Sequence, residues 1–184
     1  QEYENIDIKI IQTVEEEINK NLKILYVPEE YVVNKEEYYK EYFNKRNYYD
    51  LVIGHGMFED VSFQKQKSEI SIKGSPIFTF SEINKITKGP VLFGHIHNKI
   101  ILRDLIYYSG SFSRWCFGEE EPKGFDILLY NPKSNKYIIN FIENKNARKY
   151  ITIDVTEAIY KKPIEEIIKF IDTQKERLNI DKLR

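Results

Sequence analysis

The sequence predicts an α/β chain that turns into antiparallel β, α+β overall. Three observations carry this: strand-like apolar runs alternate with capped helices up to residue 97, tight turns separate the strands after it, and a helical stripe closes the chain. The first run, "IDIKIIQT", and the second, "LKILYVPEE", are β-branched and apolar, and Pro28 ends the second; both read as buried strands. A helix follows at "NKEEYYKEYFN", where Asn34 and Glu37 stand at capping-box spacing. "YDLVIGHG" has no polar face through Leu51, Val52 and Ile53 and reads as a strand of a parallel sheet, with His55 at its exit.

Residues 57 to 76 are polar and mixed, and the sequence assigns them to a loop or lid-like hairpin. Thr79 and Glu82 form a second capping-box pair at the start of "TFSEINKI". The strand "PVLFGHIH" comes next. Beyond it "IILRDLIYYSGSF", "GFDILLYNPKSNKYIINFIEN" and "RKYITIDVT" read as antiparallel strands, with "NPKSNK" as a hairpin turn. From Pro163, placed for a first helical position, Ile164, Ile167, Ile168 and Ile171 recur at helical spacing.

Composition narrows the function classes. Among 184 residues, 28 basic and 29 acidic side chains leave a net charge of −1, so no global cationic field points to nucleic acid or anionic lipid, and any phosphate must be held locally. One cysteine, Cys116, excludes an internal disulfide framework and fits a reducing, cytoplasmic setting; it reads as a small buried hydrophobe. No apolar run approaches the ~20 residues that cross a bilayer, so no membrane partner is expected. The start "QEYENIDIKI" is not a signal peptide, and the absence of a starting Met together with the unpartnered last helix reads as a piece of a longer protein.

The three histidines, His55, His95 and His97, stand at the exits of two apolar strands, beside Gly54, Gly56 and Gly94. Ligands of open α/β sheets bind at the carboxyl ends of strands, and imidazole is the commonest transition-metal ligand. The set therefore reads as a metal or phosphate site. Residues 95 and 97 share one side of a regular strand, whereas a turn at the exit splays them towards two ions ~3.5–4 Å apart. Lys65, Lys67 and Lys73 are candidate phosphate contacts on a solvated loop, and Arg114 beside Trp115 reads equally as a substrate contact or a structural stack. Asp60 and Glu59 are candidate partners of His55. Glu119, Glu120 and Glu121 are expected to cap a turn or neutralise Lys123 rather than bind metal.

"DLVIGHG", "GPVLFGHIHNK" and "IYYSGSFSRWCFGEEEPKGFDILLY", in that order, resemble the calcineurin-like metallophosphoesterases, and within them the SbcD-type DNA repair exonucleases. The resemblance spans residues 20 to 148. It implies the second half of a β-sandwich flanked by helices over residues 1–148, and the start of a capping, DNA-binding domain over 149–184. It also implies two divalent ions, usually manganese, with His55 and His95 on one and His97 on the other. DNA, an SbcC-type SMC-like ATPase and a homodimer are the partners it suggests. The family's Asp-x-His, Gly-Asp and Gly-Asn-His, the last carrying its catalytic histidine, do not occur in the chain, and Ser109 stands where relatives often carry proline. The expected function is metal-dependent phosphodiester hydrolysis, with a site incomplete in this chain, weak metal binding and little nuclease activity. Two alternatives stand beside it: a single-zinc hydrolase on all three histidines, and a non-catalytic domain that docks a partner through the last helix.

Overall fold

A computed structural model describes residues 8–62, 75–152, 161–178 and 182–183. Its centre is a six-stranded mixed sheet in the order β1-β2-β3-β6-β8-β7. The strands are β1 (Glu15–Asn19), β2 (Leu22–Val27), β3 (Leu51–His55), β6 (Val91–Gly94), β7 (Ile100–Leu102) and β8 (Ile106–Tyr108). The inner four, β2, β3, β6 and β8, are mutually parallel, and β1 and β7 pair antiparallel at the two edges. The mixed α/β class is therefore as the sequence predicts.

Two elements of the central sheet differ from expectation, and outside it residues 57–62 carry a short strand and a short helix where a loop or lid-like hairpin was expected. The run "IDIKIIQT" carries no strand over residues 8–12, where Ile8 is 75% and Ile10 74% exposed. The strand is instead the charged "EEEIN" of β1. Register pairs Asn19 with Leu22, leaving a two-residue turn in which Lys20 (φ +47°) and Asn21 (φ +72°) are both left-handed. Such a turn matches the twist of a hairpin and folds β1 onto β2 whatever its apolar pattern. The second difference is β8, which was expected in an antiparallel half. A three-residue turn with Arg103 (φ +50°) and Asp104 (φ +54°) reverses the chain after β7, so that β8 inserts between β7 and β6 and runs parallel to β6.

Helices α1 (Lys35–Phe43) and α3 (Phe80–Ile86) start where their caps require. Asn34 accepts the Glu37 amide, and the Thr79–Glu82 box is closed in both directions. Between β3 and α3 lie β4 (Met57–Phe58), the short helix α2 (Glu59–Ser62) and β5 (Ile77–Phe78), with β4 parallel to β5. Tyr39, Phe58, Phe78, Phe93 and Tyr108 form a buried aromatic chain with centroid spacings of 5.0–6.3 Å, packed with Leu25, Val52, Ile83, Ile86, Val91 and Ile106. Edge-to-face pairs of this kind add stability beyond the area they bury.

The chain continues into the hairpin β9 (Gly124–Asn131) and β10 (Lys136–Glu143), with its turn at the "NPKSNK" stretch. Tyr137 Oη donates to the Asp50 carbonyl at 2.9 Å and so ties the hairpin to the start of β3. β11 (Tyr150–Ile151) pairs parallel, not antiparallel, with β12 (Lys182–Leu183). Helix α4 runs over Ile164–Leu178, one residue after Pro163, whose carbonyl accepts from Glu166 and Ile167. No helix among the described residues is long and apolar enough to cross a membrane.

Candidate metal centre

Three adjacent parallel strands deliver three ligand-type side chains to one place. Val27, the last residue of β2, pairs with Gly54, and His55 of β3 pairs with Gly94 at the end of β6. The next side chains along the sheet's carboxyl edge are Glu29, two residues past β2, His55 at the end of β3, and His95, one residue past β6. Their ligand atoms all lie within 4.8 Å of one another.

The glycines make this convergence possible. A Cβ on Gly94 would lie 2.7 Å from His55 Cδ2, so the imidazole of His55 lies where a side chain at 94 would be. A Cβ on Gly54 would meet the Phe93 ring at 2.6 Å and the Val27 carbonyl at 2.7 Å, which explains the tight β2-β3-β6 packing beneath the site. His95 has φ +97°, a conformation in which a side chain is strained by about 1–3 kcal/mol. The strand exit turns there, and the turn aims His95 at Glu29.

The Glu29 carboxylate is contacted from three sides. Its Oε2 lies 2.6 Å from His55 Nδ1 and 3.1 Å from His95 Nδ1, and its Oε1 accepts from the Ser75 hydroxyl. Burial pushes the Glu29 carboxyl up, but the hydrogen bonds from Ser75, His95 and His55 outweigh it and hold the group below the ordinary value. The site thus has an ionised carboxylate with two imidazole nitrogens facing it. His95 is 12% exposed and His55 51%, so solvent reaches the cluster from the His55 side.

His97 lies elsewhere. Its Nδ1 is 2.8 Å from Glu119 Oε1, while Glu119 Oε2 accepts the Trp115 amide at 2.8 Å and lies 3.7 Å from the Lys123 ammonium. Glu119 is 4% exposed and the Lys123 side chain is fully buried, its Nζ donating to the His97 carbonyl at 2.7 Å. Burial pushes Glu119 up, yet the Trp115 amide, His97 and Lys123 outweigh it, and the carboxyl stands below its ordinary value. Glu119 therefore both caps a turn and faces Lys123, and the three histidines do not converge on one point.

Arg114 braces the same loop. Its guanidinium donates to the carbonyls of Glu119 (2.6 Å), Arg148 (3.0 Å), Glu120 (3.2 Å) and Glu121 (3.0 Å). That geometry favours the structural side of its double reading. Asp60, a candidate partner of His55, instead pairs with Arg103 at 3.4 Å. Lys65, Lys67 and Lys73 lie outside the described residues.

The sequence alone does not single out Glu29, which follows Pro28 just past the end of β2. The signal was a carboxylate just past an apolar, parallel-type strand, which is where such sheets bind ligands. No protein-family model matches the chain, and no curated protein matches it.

Proposed function

We propose that Glu29, His55 and His95 hold a divalent metal ion and that the chain serves a metal-dependent phosphodiester hydrolase of the calcineurin-like type. The observation that supports this most is the meeting of one carboxylate and two imidazoles at the carboxyl ends of β2, β3 and β6. One carboxylate and two neutral imidazoles suit manganese or zinc, and they leave coordination positions for water and a phosphoryl oxygen. A bound ion of this kind supplies an acidified water and a Lewis acid for the phosphoryl group. The protein groups have narrower tasks. Glu29 brings the negative charge, His55 and His95 fix direction through Nδ1, and Ser75 holds the second carboxylate oxygen in place.

The donor set fits one ion. The two-ion arrangement implied by the resemblance needs a carboxylate shared between ions, and among the described residues the only cluster of this type contains Glu29 alone. His97, which the resemblance gives to the second ion, is held by Glu119. The three-histidine zinc reading is disfavoured for the same reason. DNA as substrate, an SbcC-type ATPase as partner and a homodimer belong to this proposal through the sequence resemblance, and a reducing compartment through the single cysteine.

Calorimetric titration of manganese and zinc into the chain is expected to give one ion per chain. Glu29→Gln and His95→Ala should weaken binding at least about tenfold. Cleavage of linear duplex DNA and of a simple aryl phosphodiester is expected to be slow and to require the added metal. Turnover that survives a chelator, or metal affinity unchanged in both variants, would overturn the reading. The docking alternative has one observation in its favour, the exposed Ile164 and Ile168 of α4. Capture of a partner ATPase that persists without all three histidines and is lost on Ile164→Asp/Ile168→Asp would support it.

A further inference from the structure

We infer that the turn after α1 and the outward face of α3 form a binding site for a small hydroxylated organic anion, of the class of sugar phosphates and hydroxy-polycarboxylates. The site is independent of the metal reading above. The turn and α3 lead into the amino-terminal ends of β3 and β6, whereas the Glu29 cluster stands at the carboxyl ends of those strands.

Between the turn and the helix lies a cavity of about 400 Å³, lined by Arg46, Asn47, Ser81, Asn84 and Lys85. Ser81, Asn84 and Lys85 stand at i, i+3 and i+4 and share one face of α3, opposite the buried Ile83 and Ile86. The lining holds a guanidinium, an ammonium, two primary amides and a hydroxyl, and no carboxylate. Among the described residues, none of these five side chains has a hydrogen bond or an ion pair. Neighbouring charges are already matched: Lys45 pairs with Glu16, Glu82 receives the Lys35 ammonium at 2.8 Å, and Asp50 lies 3.9 Å from Lys88. Arg46 and Lys85 therefore keep their charge for a ligand.

Size and chemistry narrow that ligand. A guanidinium grips a phosphate or carboxylate through two parallel N–H donors, and an ammonium adds a second positive charge. An inorganic oxyanion alone would leave most of the cavity empty. The amides of Asn47 and Asn84 and the Ser81 hydroxyl both donate and accept, and so match hydroxyl groups on a carbon skeleton.

The two walls are also braced before any ligand arrives. The Asn47 amide donates to the Lys85 carbonyl at 2.9 Å, and the Tyr48 and Tyr49 amides donate to the Ile86 carbonyl at 2.8 and 3.0 Å. The turn thus caps the last carbonyls of α3, whose negative ends would otherwise oppose an anion. Asn47 holds φ +46°, a left-handed conformation that asparagine adopts more readily than most residues. A site held in this way loses little conformational freedom on binding.

The intact, metal-free chain in chloride buffer is titrated calorimetrically with glucose 6-phosphate, citrate, inorganic phosphate and glucose. Saturable one-site binding of glucose 6-phosphate or of citrate is expected, about tenfold or more tighter than inorganic phosphate, absent for glucose and weakening with salt. Which of the two organic anions binds identifies the head group. Arg46→Gln and Lys85→Gln should each weaken binding about tenfold or more, with an unchanged circular dichroism spectrum. Arg46→Lys keeps the charge but loses the fork, and its affinity should fall between those of the wild type and Arg46→Gln. Glu29→Gln should bind the anion as the wild type does, so failure of the metal reading and failure of this one are told apart. No saturable binding of either organic anion, inorganic phosphate or glucose binding as tightly, or affinity unchanged in both Arg46→Gln and Lys85→Gln would each overturn the proposal.

Discussion

His95 has φ +97°, and its imidazole faces Glu29. A strained residue of this kind persists because the surrounding structure holds it, and such strain gathers where a side chain has a task. Two substitutions separate the strain from the ligand. His95→Ala removes the imidazole and keeps a Cβ at positive φ, while His95→Gly removes both. In urea denaturation His95→Gly is expected to be more stable than His95→Ala by about 1 kcal/mol, with metal binding lost in both. Equal stability would mean that the backbone there is unstrained. Glu119 presents the complementary case of a buried charge that cannot lose its partner. Glu119→Ala leaves Lys123 buried beside an unsatisfied Trp115 amide, and about 3–5 kcal/mol should be lost. Combining Glu119→Gln with Lys123→Met removes both charges and should cost less than the sum of the single changes; strict additivity would show that the two groups do not interact.

At the level of elements, α3 shows how a short helix is anchored. It has seven residues, too few to be stable alone, and Thr79 and Glu82 satisfy its first amides reciprocally. Glu82 also receives the Lys35 ammonium at 2.8 Å, which links α3 to the first residue of α1. Thr79→Ala should therefore cost about 1 kcal/mol, and Thr79→Ser nearly nothing, in thermal or urea unfolding. The same pair shows what a sequence displays openly. The Asn34 cap of α1, the Thr79–Glu82 capping box of α3, the Gly-His exits of β3 and β6, the hairpin turn of β9 and β10 and the isoleucine stripe of α4 are local patterns, each written within about eight residues. The β1 strand was hidden because "EEEIN" has no apolar alternation, and its pairing depends on a turn formed by Lys20 and Asn21. The parallel setting of β8 was hidden because it depends on β7 folding out to the edge. Glu29 was hidden for a related reason: nothing near it in the chain is a ligand, and only the order β2-β3-β6 brings it to His55 and His95, 26 and 66 residues away.

Across the whole molecule, ionised carboxylates tie segments distant in sequence. Glu16 of β1 accepts from Lys45 and from the Tyr49 hydroxyl, holding the edge strand to the segment before β3, and Glu82 joins α3 to α1. Burial pushes both carboxyls up, but the bonds from Lys45 and Tyr49 to Glu16, and from Lys35 and Thr79 to Glu82, leave each below the ordinary value of 4.5. Glu119 has the same sign. A carboxyl whose folded value lies below its unfolded value binds its proton more readily in the unfolded chain. Its contribution is present above the unfolded value, near 4.5, and is lost as pH falls through the folded value. Asp126 opposes this, because burial raises it, so falling pH favours its folded form. Among the described residues five depressed carboxyls, Glu16, Glu17, Glu29, Glu82 and Glu119, against the one raised set the net direction. The urea midpoint should therefore be level from pH 7 to about 5 and fall below about 4.5, with an unchanged slope. Glu16→Gln and Glu82→Gln should each lower the midpoint at pH 7 and flatten its acid dependence, and a wild-type midpoint that holds steady down to pH 3 would show that these carboxylates do not bind the segments together.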